Sequence, residues 1–227
     1  ADPLPDDGRL GYTFVGGFVD LDQDRRDEIV LVNDFGSLGG PNRAMTNPDG
    51  SGWVDRAAEW GLDTTMFGMG LDVLDLNADG FPDFLMSSTN EVHLLVSNVG
   101  AGSEVLWFDS TRSMGIGPIG TLGELDPDLG RFAWGVALAD LDNDGWEDAV
   151  ATGGRTFPAT LVEGWRADGE EVDMAWRGGL EGFTAVAADW GLDDVGVTRG
   201  VLAVDVNNDG FLDLIKRDWL GPARLFI

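Results

Sequence analysis

The nine residues Asp140-Leu141-Asp142-Asn143-Asp144-Gly145-Trp146-Glu147-Asp148 carry acids at positions 1, 3, 5 and 9 and a glycine at position 6. A hard divalent cation takes about six to eight oxygen ligands, and alternate side chains of a tight loop can supply several of them. Glycine at position 6 permits a positive φ, which lets the carbonyl of position 7 face the same point. We therefore predict a metal loop whose ligands are Asp140, Asp142, Asp144, Trp146 and Asp148.

The same pattern recurs along the chain in copies that begin at residues 20, 75, 140 and 205, with separations of 55, 65 and 65 residues. The second copy predicts ligands at Asp75, Asn77, Asp79, Phe81 and Asp83. The last copy predicts ligands at Asp205, Asn207, Asp209, Phe211 and Asp213. An altered first copy offers Asp20, Asp22, Asp24, Arg26 and Glu28. Recurrence at a nearly fixed period indicates a repeat architecture.

The first copy departs from the pattern at three positions. Arg25 replaces the glycine at position 6, Arg26 occupies position 7, and Glu28 stands at position 9. A residue with a side chain pays a steric cost for positive φ, and the arginines add positive charge beside the ligands. We predict weaker cation binding in this loop than in the other three.

The four loops fit an EF-hand, a metal-free turn or a zinc site less well than a calcium site. An EF-hand needs a bidentate acid at position 12, where this chain has Leu31, Met86, Ala151 and Lys216. Asp-Gly turns are common in hairpins, but that accounts for one such loop rather than for the repeated oxygen positions. Zinc is disfavoured because the chain has no cysteine and one histidine, and Mg²⁺ prefers strict octahedral geometry with bound water. The prediction is three to four Ca²⁺ ions, with dissociation constants of roughly 10⁻⁴ to 10⁻³ M.

Short apolar segments flank every loop and predict strands, such as Gly135–Ala139 before Asp140 and Ala149–Ala151 after it. A second repeated element, Trp53–Asp63 and again Phe183–Asp193, predicts a short strand, a helical turn and a glycine stop. Each repeat then holds about four short strands, as a propeller blade does. We predict an all-β, propeller-type array of about four blades over residues 11–227, after a lead-in at residues 1–10.

Two details complete the predicted organisation. The glycine-rich segment 110–130 and the polar segment 163–180, which contains Trp165 and Trp176, are interpreted as insertion loops. The last repeat is expected to stop partway through its blade. We therefore hypothesise that the array is part of a larger ring, completed by a further chain or segment.

The loops and their flanks resemble FG-GAP and VCBS repeats, the calcium-loop blades of integrin-α-like propellers. The run Phe183-x-x-x-Ala187-Ala188-x-x-Gly191-Leu192, followed by Gly200-x-x-x-x-Asp205-x-Asn207-x-Asp209-Gly210, is similar to the ASPIC/UnbV subgroup, to which the cartilage acidic proteins belong. The resemblance covers residues 11–227. It implies a ring of about seven blades with Ca²⁺ in the loops, on a secreted or surface protein. No segment resembles the ASPIC/UnbV domain itself, so nothing known of that domain is carried over.

Charge limits the classes of partner. The formal net charge of −27 makes nucleic acid and anionic membranes poor partners, and no apolar run reaches the length of a membrane helix. His93 lies in a strand pattern and is expected to be structural or exposed. With a single histidine and no cysteine, the common nucleophile–base pairs cannot be assembled, although paired-carboxylate glycosidase chemistry stays open in principle.

We therefore expect a non-enzymatic module located outside the cytoplasm, which means extracellular, cell-surface or periplasmic, that mediates protein–protein interaction or adhesion. A lectin-like carbohydrate-binding propeller is the alternative, because Trp165, Trp176 and Trp219 fall in predicted loops and exposed aromatics are candidates for contact with a partner or a sugar. A second alternative is an accessory subunit or domain of an enzyme complex.

Overall fold

The structure, a computed structural model, describes residue 4 and residues 11–100, 104–117, 131–154, 171–219 and 221–227. All of the predicted lead-in except residue 4 lies outside the described residues. So do residues 118–130 of the first predicted insertion loop and residues 163–170 of the second, which include Trp165. Among the described residues, no helix is both long enough and apolar enough to cross a bilayer.

The first sheet is an antiparallel meander of four strands, in the order β1-β2-β3-β4. Its strands are β1 (Thr13–Val19), β2 (Glu28–Asn33), β3 (Arg43–Thr46) and β4 (Val54–Asp55). A short 3-10 turn, Gly36–Leu38, follows β2. The register pairs Val19 with Glu28, so the acidic loop is the turn of the β1–β2 hairpin.

The second sheet repeats this meander, in the order β5-β6-β7-β8. Its strands are β5 (Gly70–Leu74), β6 (Asp83–Ser87), β7 (Val92–Val99) and β8 (Val105–Asp109). A four-residue helix, α1 (Ala57–Trp60), precedes it. Every residue of β6 is buried, which agrees with the apolar run predicted to follow the second loop.

The third sheet has the order β13-β12-β10-β9, and the fourth has the order β15-β16-β17. The third consists of β9 (Ala133–Ala139), β10 (Asp148–Gly153), β12 (Met174–Arg177) and β13 (Thr184–Ala185). The fourth consists of β15 (Thr198–Val204), β16 (Asp213–Asp218) and β17 (Ala223–Phe226). A separate pair joins β11 (Glu171–Val172) to β14 (Val195–Gly196).

The chain divides into two compact units, each with its own apolar core. The first unit is Ala1–Met86 with His93–Ser110, and the second is Ser87–Val92 with Thr111–Ile227. In the first, Leu71 and Val73 of β5 pack against a cluster that includes buried Val30 and Trp107. In the second, Val201 and Ala203 of β15 pack against buried residues that include Val150 and Leu192.

The helical turns end as predicted, on a glycine with positive φ. Gly61 has φ 77°, Gly191 has φ 67°, and Gly115 of the weaker third copy has φ 88°. After each glycine the next amide donates back to the start of the turn, as Leu62 N does to Ala57 O at 2.8 Å. A Cβ at Gly61 would lie 2.4 Å from Trp107 O, so this position needs glycine for close backbone packing as well as for φ.

These sheets confirm the predicted fold class, an all-β, four-bladed propeller-type fold. The prediction of an insertion loop over 163–180 was wrong for its second half. Residues 171–177 form β11 and β12, and Trp176 is a buried strand residue, 6% exposed, rather than a loop residue. The polar sequence concealed these strands because polar Glu171 and Asp173 are buried there and bonded to backbone amides.

Candidate metal centre

The four acidic loops share one backbone conformation. Position 4 has positive φ in each loop, at 62°, 55°, 57° and 60° for Gln23, Ala78, Asn143 and Asn208. Position 6 is also left-handed, at 89° in the three glycine loops and at 70° for Arg25. The first loop therefore keeps the shape of the others although its residue at position 6 has a side chain that disfavours that shape.

Three recurring hydrogen bonds explain how the loops hold this shape. The carboxylate at position 1 accepts from the amide at position 6, at 2.9–3.1 Å. The carboxylate at position 5 accepts from the amide at position 7, at 2.8–2.9 Å. The carboxylate at position 9 accepts from the amide at position 2, at 2.7–2.9 Å. The acids at positions 1, 5 and 9 thus hold the backbone of each loop in shape.

The acid at position 9 is the first residue of the second strand of each hairpin and is buried in all four loops. Glu28, Asp83, Asp148 and Asp213 are 2%, 0%, 0% and 2% exposed. In three loops the second carboxylate oxygen of this acid accepts another hydrogen bond. The donor belongs to the third strand of the same sheet or to the residue just after that strand. Those donors are Thr46 Oγ1 at 3.2 Å, Ser97 N at 2.7 Å and Gly178 N at 2.8 Å.

Two loops bring three carboxylates together. In each, one ligand oxygen from positions 1, 3 and 9 lies within 4.8 Å of the others, which is a spacing that one cation can bridge. The two clusters are Asp20, Asp22 and Glu28, and Asp140, Asp142 and Asp148. In the loops at 75 and 205 the residue at position 3 is an asparagine, so the same place offers an amide oxygen instead of a carboxylate.

The acid at position 5 belongs to neither cluster, and in both loops an arginine pairs with it. In the first loop, Arg26 Nη2 lies 3.1 Å from Asp24 Oδ2. In the third, Arg177 of β12 lies 2.6 Å from Asp144 Oδ2 and 2.7 Å from Asp142 Oδ2. In the loops at 75 and 205, the amides of Asn77 and Asn207 donate to Asp79 and Asp209. The prediction that position 5 is a ligand, like the prediction for the carbonyls of Arg26, Phe81, Trp146 and Phe211, stays a prediction.

Burial makes the charged state of the position 9 acids unfavourable. It raises the pKa of Glu28, Asp83 and Asp148, and neighbouring carboxylates of the same loop raise these pKa values further. Hydrogen bonds from Leu21, Ser97 and Gly178 act in the opposite direction. Burial and like charge outweigh these hydrogen bonds, so the net result at position 9 of these three loops is a raised pKa.

The donor set fits a hard cation. Oxygen ligands converge, and Asp20 Oδ1 is buried with no hydrogen-bond partner among the described residues. Buried polar oxygens are nearly always partnered in folded proteins, so this atom is suited to a ligand such as a metal ion. With Ca²⁺ bound, positions 1, 3 and 9 would hold the ion, which would add positive charge beside the buried carboxylate at position 9.

Sequence reasoning missed the residues that reach these loops from elsewhere. Thr46, Ser97, Arg177 and Gly178 contact loop carboxylates, but they follow position 9 by 18, 14, 29 and 30 residues, so no fixed spacing marks them. His93 is placed in β7 as predicted, with its Nδ1 2.9 Å from Asp109 Oδ2. Of the loop tryptophans, Trp146 and Trp219 are 44% and 50% exposed.

The chain was compared with protein-family models, none of which matches, and with curated proteins, among which no match was found either.

Proposed function

We propose that this chain is a calcium-stabilised, FG-GAP/VCBS-like propeller module that binds one ion in each acidic loop. The observation that carries the proposal is the convergence of positions 1, 3 and 9 in the loops at 20 and 140. The three recurring loop hydrogen bonds support extending it to the loops at 75 and 205.

The role of the ion is structural. Each loop is the turn of a hairpin, and its position 9 acid begins the second strand. An ion on positions 1, 3 and 9 would fasten the two strands together and offset repulsion within a chain of net charge −27. The free energy of cation binding then adds to the free energy of folding.

The proposed cellular role is a non-enzymatic scaffold outside the cytoplasm that binds another protein. Large apolar side chains exposed on the first and last sheets support a protein partner, including a further chain or segment that completes the propeller. Phe14 and Phe18 of β1 are 55% and 73% exposed, and Leu202 of β15 is 56% exposed. Millimolar to sub-millimolar affinity for Ca²⁺, as proposed here, suits extracellular modules.

Calorimetric titration of the chelator-treated chain tests the metal proposal. We expect three to four Ca²⁺ ions to bind with dissociation constants of about 10⁻⁴ to 10⁻³ M, and Mg²⁺ to bind more weakly. The variant Asp140→Ala should lose one site, whereas Asp63→Ala, outside the loops, should lose none. A chain that binds no Ca²⁺ at millimolar concentration would contradict the proposal.

The second candidate, a carbohydrate-binding propeller, is favoured by the exposure of Trp146 and Trp219. A glycan array probed at micromolar concentration, with Trp219→Ala as the control, separates it from the first. Co-purification in a stable complex supports the protein scaffold instead. An accessory role in an enzyme complex predicts turnover that is lost when carboxylates outside the loops are replaced.

A further inference from the structure

Neighbouring loops are joined by a side-chain hydrogen bond that occurs once in each unit. In the first unit, Gln23 Nε2 donates to Gly80 O at 2.9 Å. In the second, Asn143 Nδ2 donates to Gly210 O at 3.0 Å. Both donors stand at position 4 of one loop, and both acceptors are the carbonyl of position 6 in the next loop. The same contact is therefore made by side chains of different length in the two units.

Each of these bonds leads to a metal ligand. The amide of Gly80 donates to Asp75 Oδ2 at 2.9 Å, and the amide of Gly210 donates to Asp205 Oδ2 at 3.1 Å. These aspartates hold position 1 of their loops. On the donor side, Asn143 lies between Asp142 and Asp144, at positions 3 and 5. A hydrogen bond and one glycine residue therefore connect the ligands of one loop with the first ligand of the next.

The remaining two loops lack this link. Position 4 of the second loop is Ala78, which has no side-chain donor. Position 4 of the fourth loop is Asn208, whose backbone amide donates to Asp205 Oδ1 of its own loop at 2.6 Å. Its side chain makes no hydrogen bond to the loop at 140–148 among the described residues. Within each unit, one hydrogen bond therefore joins the two loops as a pair.

We infer that the loops bind cations as two coupled pairs, 20–28 with 75–83 and 140–148 with 205–213, and that Gln23 and Asn143 are the positioning residues that carry the coupling. This inference rests on the proposed calcium binding. An ion in one loop orders position 4, which fixes the glycine of the next loop and its position 1 aspartate. Because binding of the first ion already orders part of the second loop, the second ion loses less conformational entropy and binds more tightly.

The expected size of the coupling between two loops follows from the strength of a single hydrogen bond. One net hydrogen bond changes an affinity by about threefold to tenfold. Coupling is reciprocal, so disabling either loop of a pair weakens the other by the same factor.

Trp146 makes the second pair directly measurable, because it stands at position 7 of the loop at 140–148 and is 44% exposed. Energy transfer from this tryptophan to Tb³⁺, reversed by excess Ca²⁺, reports the affinity of that loop. A double-mutant cycle compares the wild type with two single variants and the double variant. Asp205→Ala disables the neighbouring loop, and Asn143→Ala removes the hydrogen bond between the loops. We expect each single variant to weaken the loop at 140–148 by about threefold to tenfold, and the double variant to weaken it no further.

Gln23→Ala is the matched control, since it removes the corresponding bond of the first unit and changes neither loop of the second, and Ala78 shows that the position accepts alanine. It should change the affinity of the loop at 140–148 by less than about twofold. The coupling would be overturned if the control lost as much affinity as Asn143→Ala, or if Asp205→Ala did not change the affinity at all. It would also be overturned if the loss in the double variant equalled the product of the two single losses. If the wild type gave no Tb³⁺ signal that Ca²⁺ displaces, the proposed calcium binding would fail, and the coupling with it.

The first pair supplies a second measurement if Asp205→Ala does not fold. Trp107 Nε1 donates to Pro82 O at 2.6 Å, so its fluorescence reports cation binding by the loop at 75–83. Asp20→Ala and Gln23→Ala should each weaken that loop by about threefold to tenfold, and together no further. Unchanged affinity in either single variant would overturn the coupling in this unit.

Discussion

The loops at 20–28 and 140–148 gather the same three carboxylate positions from different sequences. The first has Arg25 at the position where the other has Gly145, yet both residues are left-handed, at φ 70° and 89°. The first pairs its position 5 acid with Arg26 inside the loop, and the other pairs it with Arg177 from β12. The loop conformation therefore depends on the hydrogen bonds of its acids more than on glycine, while nearby arginines differ between the loops and are expected to set affinity.

Removing the metal should produce the largest effect and test whether the two loops are equivalent. At 2 mM Ca²⁺ and dissociation constants of 10⁻⁴ to 10⁻³ M, four sites add about 3–7 kcal/mol to the free energy of unfolding. We expect EGTA to lower the melting temperature measured by circular dichroism, and Mg²⁺ to restore it poorly. Asp140→Ala should remove more of the calcium effect than Asp20→Ala. Equal losses would show that Arg25 and Arg26 do not weaken the first loop.

The next largest effect is the loss of stability, without metal, when a buried acid at position 9 is replaced. Asp148→Ala leaves the amides of Leu141 and Gly178 without their acceptor, at a cost of about 2–4 kcal/mol. Glu28→Ala leaves the amide of Leu21 without its acceptor, whereas the hydroxyl of Thr46 can rotate to another partner. We therefore expect the free energy of unfolding to fall by about 1–3 kcal/mol. Urea unfolding in EGTA measures both. Asp148→Asn keeps an acceptor and should cost less than the alanine variant.

A smaller effect isolates the backbone at position 6. Arg25→Gly should raise the free energy of unfolding by about 1 kcal/mol because glycine relieves the steric cost of the left-handed conformation. Gly145→Ala should lower it by about the same amount. A Cβ at Gly145 would meet no atom within 4 Å, so crowding does not contribute. Urea unfolding in EGTA measures both, and Arg25→Ala separates charge from conformation. If Gly145→Ala raised the free energy of unfolding, it would contradict the steric cost that we assign to a side chain at position 6.

The smallest effect concerns the arginines. Arg177 lies on two carboxylates of the loop at 140–148, and Asp144 and Asp142 raise its pKa, so it stays charged and competes with a cation. Arg177→Gln should tighten cation binding by this loop about twofold to fivefold, as read by Tb³⁺ luminescence from Trp146. Arg26→Gln is the matched change in the first loop. Weaker binding by the glutamine variant would instead show that Arg177 holds the loop open for the ion.

Much of the fold followed from local pattern. Acidic loops with apolar flanks predicted all four hairpins because a strand–turn–strand unit spans few residues and its turn chemistry is explicit in the sequence. The glycine stops at Gly61 and Gly191 were predictable for the same reason, since the left-handed turn end is a local preference. β11 and β12 were missed because their buried polar residues are satisfied by distant amides, which local polarity cannot reveal.

The candidate site was predictable only in part. The carboxylate groupings at positions 1, 3 and 9, which could hold a metal ion, follow from spacing within nine residues. Ser97 and Arg177, which contact the loops from later strands, lie at variable separations, so their involvement depends on strand pairing. The bonds of Gln23 and Asn143 span 57 and 67 residues and exist only because consecutive hairpins stack.

The sequence alone determined the repeat, the all-β class and the oxygen-rich turns, because spacing and turn preference act over a few residues and need no tertiary contact. Tertiary structure decided that the position 9 acids are buried, that Arg177 reaches one loop and that Gln23 and Asn143 link loops in pairs. Burial and long-range hydrogen bonds arise when separate hairpins pack together, and packing joins residues that the sequence keeps apart.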